Sequence, residues 1–320
     1  MSTENKLIIP GLAFGLVAPY VLSTYGLTTL VSILYYGLMA FSLGFLVRNV
    51  GLISMAQTSF FGLAGYMVGI FGVKMGLPFP IPPLIGIVIA IASGLVFGMI
   101  ALRTYAISFL MITLAIGQLC WSLAQQWIAV FGGFNGIQGI RAPVIAGIDF
   151  SQPAVFYYTL FIVFVAAVYF LRRLVESPFG LALRGIKENP DRMAALGYSV
   201  FQLRQAAFVI AAGIAALGGV FSVYFTGVIT PSVLSIDRAI WTLLIVILGG
   251  ANYFWGPLFG TMCAVVLDVV ISSLTPRYNT VIGAIFLLIV LYATDKGLFK
   301  VMDLVPKSWR RKPDAGTDPT

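Results

Sequence analysis

Residues 177–197, SPFGLALRGIKENPDRMAALG, form a polar segment between two long apolar stretches of the chain. Serine and asparagine cap helix N-termini and proline is tolerated in the first turn, so Ser177–Pro178 and Asn189–Pro190 each predict the start of a helix. Gly197 stands where a left-handed C-cap is expected to end the second helix. Five charged side chains lie within the segment: Arg184, Lys187, Glu188, Asp191 and Arg192. The pattern predicts two short amphipathic helices, which either are gripped by a soluble partner or form a solvated connection.

The composition of the chain is that of a membrane protein. Of its 320 residues, 60% are hydrophobic and only 9% are charged, and the mean hydropathy is +1.00. A soluble domain of this length cannot remove so much apolar surface from water. Apolar residues also run continuously rather than alternating, which argues against a transmembrane barrel.

Long charge-free runs divide the chain into helices that can cross a membrane, for which about 20 apolar residues are needed. The predicted spans are 8–22, 27–47, 52–73, 82–101, 106–130, 154–172, 200–228, 238–250, 257–274 and 278–294. The first and the eighth are short for a full crossing and could be broken or re-entrant. We therefore predict an all-α polytopic membrane protein with about ten transmembrane helices. It forms one domain over residues 1–300, followed by a disordered basic tail, 301–320.

The basic residues predict the orientation of these spans. With ten spans and a cytoplasmic N-terminus, 15 of the 19 Lys and Arg residues face the cytoplasm. The other 4 face outward: Lys74, Arg141, Arg238 and Arg277. Cytoplasmic loops carry the excess of basic residues in membrane proteins, so both termini and the segment 177–197 are predicted to be cytoplasmic. The same asymmetry explains the net charge of +8, so no nucleic-acid partner is expected.

Several kinds of chemistry are excluded by the residues that the chain lacks. It contains no histidine, which excludes histidine metal sites, histidine proton relays and Ser-His-Asp catalysis within this subunit. It also contains no GxxxxGK[ST] phosphate-binding loop. If ATP is used, another chain must bind it.

Small and polar residues recur inside the predicted spans. Closely spaced glycines in the third and seventh spans, among them Gly62, Gly65, Gly218 and Gly219, predict close helix packing. A polar side chain in hydrocarbon is costly unless it is paired, so polar residues mark either a packed interface or a wet path. The candidates for a translocation path are Ser54, Gln57, Thr58, Ser59, Thr113, Gln118, Asn135, Asn252 and Asp268.

Four motifs occur in order along the chain. They are RNVGLISMAQTSFFGLAGY (48–66), FGGFNGIQGIRAP (131–143), the segment 177–197 and LGGANYFWGPLFG (248–260). Together they make residues 25–300 resemble the LivM-type permease subunits of bacterial ABC importers for branched-chain amino acids. Relatives in this superfamily carry branched-chain amino acids, urea, short amides or aromatic acids, and the motifs leave the solute open.

The resemblance implies a multi-pass protein of the bacterial inner membrane that acts within a larger assembly. The expected partners are a second, homologous permease, two ABC ATPase subunits and an extracytoplasmic solute-binding protein. ATP and Mg would be used by the ATPase, so no cofactor is expected in this chain and the chain itself is not expected to be an enzyme.

The segment 177–197 resembles the ATPase-coupling motif of that family. A short cytoplasmic helix can sit in a groove of a soluble subunit, and closure of the ATPases would then move it. Phe179, Leu183 and Ile186 are the expected apolar anchors of this contact. Arg184 and Lys187 are expected to form its polar rim. The coupling residues that the resemblance implies are Ser177, Pro178, Phe179, Gly180, Leu183, Arg184, Ile186, Lys187, Glu188, Asn189, Ala194, Leu196 and Gly197.

Two other classes of function stay open at this point. An ion-coupled secondary transporter needs intramembrane acids, and only Asp268 lies well inside a predicted span. That carboxyl group either makes a packing hydrogen bond or lies on the solute path. A membrane-embedded enzyme needs clustered acids, histidines or cysteines, and the sequence has no such cluster with catalytic spacing.

Overall fold

A computed structural model describes residues 23–104, 106–145 and 148–274, together with Gly15 and Pro19. Apart from those two residues, the predicted first span 8–22 lies outside the described residues. The predicted tenth span 278–294, the tail 301–320 and both termini also lie outside them.

The described part of the chain is almost entirely helical. Its α-helices are α1 (Thr24–Asn49), α2 (Gln57–Gly69), α3 (Ile81–Ala101), α4 (Ala106–Gln126), α5 (Ile128–Phe131), α6 (Pro153–Glu176), α7 (Pro178–Glu188), α8 (Pro190–Ala195), α9 (Val200–Thr226), α10 (Ile236–Gly249) and α11 (Gly256–Leu274). A π-helical turn, Ile70–Lys74, extends α2. Short 3₁₀ turns cover Gly133–Asn135 and Pro231–Leu234.

Two small antiparallel pairs of strands complete the described structure. Strand β1 (Ile137–Gln138) pairs with β4 (Val228–Ile229), and β2 (Val144–Ile145) pairs with β3 (Ile148–Asp149). The first pair joins the loop after α5 to the end of α9. The sequence analysis did not predict either pair, because two-residue strands are too short to show an alternating pattern.

Within the described residues, five helices are long and apolar enough to cross a membrane: α1, α3, α4 from Ile107, α6 and α9. They coincide with predicted spans, which confirms an all-α membrane protein with several crossings. Helix α10 has 14 residues, and the apolar part of α11, Gly256–Val269, is also shorter than a full crossing. The total of ten spans stays a prediction.

Two predicted spans are wrong in their boundaries. The third span was expected to begin at residue 52, but α2 begins at Gln57. The segment before it is held by side chains instead of a helical ladder, since the Met55 N–H donates to Thr113 Oγ1 at 3.1 Å. The fifth span was expected to reach residue 130, but α4 ends at Gln126. The break has a backbone cause, because Trp127 has φ −86° and ψ 68° and is not helical.

Helix α9 lies at the centre of the bundle and packs on α1, α2 and α3. Glycines permit this close approach. A Cβ added at Gly218 would lie 2.6 Å from the Tyr35 carbonyl oxygen, and one added at Gly219 would overlap the carbonyl oxygen of Phe61. The prediction that the glycines of these helices serve close packing is therefore confirmed.

The bundle has two distinct ends. At one, which we call the basic end, Lys187 contacts the last turn of α1 and Arg48 lies over the Phe254 ring. At the other, the hairpin end, β1 pairs with β4, and Lys74 Nζ donates to the Ala129 and Val130 carbonyls at 2.8 Å each. Of the described Lys and Arg residues, eight lie at the basic end, and Lys74 and Arg141 lie at the hairpin end. Arg238 instead stacks on Tyr36, midway along α1.

Candidate functional site

The segment 177–197 folds into two helices, α7 and α8, at the basic end. Asn189 caps α8 as predicted, because its Oδ1 accepts a hydrogen bond from the Arg192 N–H at 2.9 Å. Ser177 occupies the N-cap position of α7, but its side chain makes no capping bond. The Ser177 hydroxyl instead donates to the Leu174 carbonyl at 2.6 Å. The prediction that Ser177 caps α7 is therefore wrong, since this hydroxyl closes the end of α6.

Gly197 ends α8 in the left-handed conformation, with φ +88°. The Gly197 N–H donates to the Ala194 carbonyl at 3.0 Å, and the Tyr198 N–H donates to the Met193 carbonyl at 3.1 Å. These two bonds are the pair that defines a Schellman motif. A Cβ added at Gly197 would meet no atom within 4 Å. The left-handed C-cap is confirmed, and glycine is required there only for its backbone conformation.

The apolar face of α7 is turned toward the protein's own interior. Leu183 and Ile186 are both 0% exposed, and Phe179 is half-buried against the core. At Gly180, α7 packs so closely on the end of α6 that an added Cβ would overlap the Val175 carbonyl oxygen. The prediction that Leu183 and Ile186 anchor a partner is wrong, because both side chains already fasten α7 to the membrane helices.

The exposed side of the segment carries a different set of apolar residues, which the sequence analysis missed. Leu181 and Leu196 are each 67% exposed and Tyr198 is 48% exposed. Exposed charged side chains surround them: Arg184, Glu188, Asp191 and Arg192. We call this surface the docking face. The amphipathic pattern predicts that the segment has an apolar and a polar face, but only the folded chain shows which residues lie on the outer face.

Lys187, which was expected on the polar rim, is exposed and is also hydrogen-bonded to α1. Its Nζ donates to the carbonyl of Arg48 at 2.9 Å and to that of Val47 at 3.2 Å. Both carbonyls lie in the last turn of α1. Burial and the positive charge of Arg48 lower the pKa of the Lys187 ammonium below its ordinary value.

A second candidate site is a buried polar cluster where α2 begins. Its side chains are no more than 1% exposed and belong to Ser42, Ser54, Gln57, Thr58, Ser59 and Thr113. The Ser42 hydroxyl donates to Gln57 Oε1 at 2.5 Å, which joins α1 to α2. Through its bond from the Met55 N–H, Thr113 joins α4 to the same place. Five of the predicted path residues therefore come together here.

The cluster contains hydrogen-bonding groups without partners among the described residues. The Gln57 Nε2 donor is buried and unpaired. Ser59 Oγ has only the Cys120 thiol, a weak partner, beside it. Ala56, at the N-cap of α2, has no side chain that can cap the helix, and its own N–H donates to Ser54 Oγ at 3.2 Å. A buried helix N-terminus is a partial positive charge, so the cluster presents spare donors to any polar group that reaches it.

The other four predicted path residues are not gathered at the cluster. Gln118 is half-buried on α4, and Asp268 is half-buried on α11, where it interacts electrostatically with Arg238. Asn135 is exposed at the hairpin end, and Asn252 is exposed in the turn between α10 and α11. No hydrogen bond from these four to the cluster is present in the described part of the chain.

The hairpin end holds two neighbouring cavities, of about 450 Å³ and about 280 Å³. Ile140, Arg141 and Tyr224 line both. The larger one is otherwise walled mainly by aromatic and aliphatic side chains, among them Phe156 and Phe225. The guanidinium of Arg141 is therefore the one charged group among the mainly apolar residues that line these cavities.

Comparison with known proteins agrees with this architecture. The sequence profile described as "Branched-chain amino acid transport system / permease component" matches residues 25–293. The chain is 25% identical to the high-affinity branched-chain amino acid transport system permease protein LivM of Salmonella typhimurium over 303 residues, which cover 87% of this chain and 70% of that protein. It is 26% identical to the LivM protein of Escherichia coli, with the same coverage. It is 25% identical to a probable LivM protein of Methanocaldococcus jannaschii, over 72% of this chain and 71% of that protein. No solved structure matches the chain.

Proposed function

The chain belongs to the family of branched-chain amino acid transport system permease components, and from that premise we propose that it is the permease subunit of an ATP-driven importer. Branched-chain amino acids are its proposed solutes. The observation that carries the proposal is the two-sided segment 177–197. Its inner face is fastened to the membrane helices, and its docking face is exposed. This is what a helix must have in order to pass a soluble subunit's motion into a bundle.

The proposed assembly contains a second permease, two ATPase subunits that use ATP and Mg, and an extracytoplasmic solute-binding protein. The ATPase would contact the docking face, with Leu181, Leu196 and Tyr198 as its apolar anchors. Arg184 and Glu188 would lie at the edge of that contact. Ten spans, both termini in the cytoplasm and a bacterial inner-membrane location complete the proposal.

The orientation can be tested by labelling single cysteines from outside. Phe134 at the hairpin end is 84% exposed, and Arg184 is exposed at the basic end. With Cys120 and Cys263 replaced by alanine, Phe134→Cys should react with an impermeant maleimide in intact cells, and Arg184→Cys only after permeabilisation. The opposite result would invert the proposed topology.

The proposed solute path runs from the hairpin-end cavities to the buried polar cluster. A branched-chain amino acid has a carboxylate beside an aliphatic side chain, and Arg141 among apolar walls suits both parts. The free donors at the start of α2 would then receive the carboxylate deeper in the bundle. A urea or short amide would use the same donors without needing Arg141.

Transport by the reconstituted complex tests the function directly. Proteoliposomes with the second permease, the ATPases and the binding protein should take up radiolabelled leucine, isoleucine or valine when ATP is enclosed on the ATPase side. Urea and acetamide serve as competing solutes. Uptake that continues without ATP and stops when an ionophore dissipates the ion gradients would contradict the proposal.

Introducing a charge on the docking face tests the coupling contact. Leu181→Glu should reduce co-purification of the ATPase, because it places a carboxylate where an apolar side chain is expected to be buried. Leu183→Ala is the matched control on the inner face: it should lower the stability of the permease but leave the ATPase bound. Undiminished co-purification with Leu181→Glu would remove the docking face from the contact.

A further inference from the structure

Lys187 joins the coupling segment to a helix that is remote from it in sequence. Its ammonium donates to the Arg48 carbonyl at 2.9 Å and to the Val47 carbonyl at 3.2 Å. The last carbonyls of a helix lack intrahelical partners and carry a partial negative charge. A cation on these groups therefore makes charge-assisted bonds, which are stronger than neutral ones.

The stem of Lys187 is held as well as its charged end. Gly51 follows α1 with φ +75°, and a Cβ added there would lie 3.0 Å from Lys187 Cγ. The Ile186 side chain, next in the chain, is fully buried. The lysine thus spans from α7 to α1 across the exposed surface of the basic end.

The end of α1 leads directly to the buried polar cluster. Residues 50–56 connect α1 to the start of α2, and Gln57 at that start is bonded back to Ser42 on α1. A displacement of the last turn of α1 would therefore pull on the connection from one side and on the Ser42–Gln57 bond from the other.

We propose that Lys187 is a positioning residue that makes α7 and the last turn of α1 move as one body, so that ATPase-driven motion of α7 reaches the buried polar cluster. The inference rests on the proposed function, because it requires an ATPase that moves α7. It assigns the transmission to one side chain, whereas a residue that only closed the end of α1 would affect stability alone.

The first test compares neutral substitutions in the reconstituted complex. Lys187→Met keeps the length of the stem and removes both hydrogen bonds, and it should lower the ratio of leucine transported to ATP hydrolysed about tenfold, as expected for losing a charged hydrogen bond. Basal ATP hydrolysis and assembly should persist. Lys187→Arg, which keeps donors at the end of a long stem, should recover part of the ratio. Arg103→Met removes the same charge from an exposed position after α3, outside the segment 177–197, and should leave the ratio unchanged.

The second test replaces the lysine link with a covalent one. In a chain with Cys120 and Cys263 changed to alanine, Gly51→Cys and Lys187→Cys place two sulfurs within reach of a disulfide, given the 3.0 Å approach of the Gly51 Cβ position to Lys187 Cγ. The reduced protein should be as uncoupled as Lys187→Met, and oxidation should restore the ratio. Gly51→Cys alone reports any effect of its backbone strain and should not respond to oxidation.

The possible results separate the inference from the function beneath it. An unchanged ratio in Lys187→Met, a disulfide that does not form, or a disulfide that blocks transport would overturn the role of Lys187 while leaving the importer intact. A native complex without ATP-dependent uptake would overturn the proposed function, and the inference with it.

Discussion

Replacing Gly219 with alanine should force apart α2 and α9, which are in close backbone contact there. The added Cβ would overlap the Phe61 carbonyl oxygen on α2 and lie 2.7 Å from its carbonyl carbon. Carbon atoms in normal contact are about 3.5–4.0 Å apart, so α2 and α9 must part by roughly 1 Å. Both atoms belong to the backbone, and no side-chain rotation can relieve the contact.

The magnitude follows from two opposing effects. Overpacking of this kind costs about 1–3 kcal/mol, whereas alanine in a helix interior is favoured over glycine by about 1 kcal/mol. Gly213→Ala is the matched control on the same helix, because its added Cβ would meet Ile91 Cγ1 at an ordinary 3.5 Å. The control gains the helix propensity without the overlap. Gly219→Ala should therefore be less stable than Gly213→Ala by about 1–3 kcal/mol.

The assay is thermal unfolding of the two purified variants in the same detergent, scanned at the same rate. The free-energy difference corresponds to an apparent Tm that is roughly 2–5 °C lower for Gly219→Ala. Equal Tm values for the two variants would refute the reasoning, since the close approach of α2 and α9 would then not restrict the size of residue 219.

Three further predictions concern the coupling segment and the polar cluster. Gly197→Val should impair solute-stimulated ATP hydrolysis, because a β-branched residue at φ +88° adds roughly 1–2 kcal/mol of strain and misdirects α9; stimulated hydrolysis equal to that of the native complex would contradict it. Gln57→Leu should destabilise the permease by about 1–3 kcal/mol in thermal unfolding, because it leaves the Ser42 hydroxyl without its acceptor. Adding Ser42→Ala should restore the stability but not leucine uptake. Restored uptake in the double mutant would show that Gln57 is not on the solute path. Asp268→Asn should leave uptake near normal if the carboxyl group serves helix packing, and a large loss in a complex that still assembles would place it on the path instead.

Local signals in the sequence were sufficient to predict how α8 is capped at both ends, although not how α7 is capped. Asn189 before a proline and Gly197 at the end of α8 act through their own backbone and nearest neighbours, so the caps they predict are found in the fold. Membrane crossings were also predictable, because continuous apolar runs are long enough to identify them. The start of α2 was not, since it depends on a bond from the Met55 N–H to Thr113, 58 residues away in the chain.

The orientation of amphipathic α7 shows why its partner-binding residues could not be read from the sequence. A periodic apolar stripe indicates that one face is buried, but it does not say whether the burying surface belongs to the same chain or to another. Leu183 and Ile186 belong to that stripe and are covered by the membrane helices, so the exposed Leu181 and Leu196 remain for a partner. The hydrogen bonds of Lys187 to α1 were not predicted for a related reason, because its acceptors are far away in sequence.

The division of α7 into an inner and an outer face also bears on how such permeases diversify. Substitutions at Leu181 change the outer surface and touch little of the chain's own interior, whereas changes at Leu183 or Ile186 disturb the fold. Under the proposed function, mutations confined to the outer face would therefore change which ATPase the subunit binds, without changing its membrane helices. If the proposed ATPase contact holds, duplicated transport systems would diverge fastest on the docking face. Chimaeras that exchange only this face would then bind the ATPase of the other system.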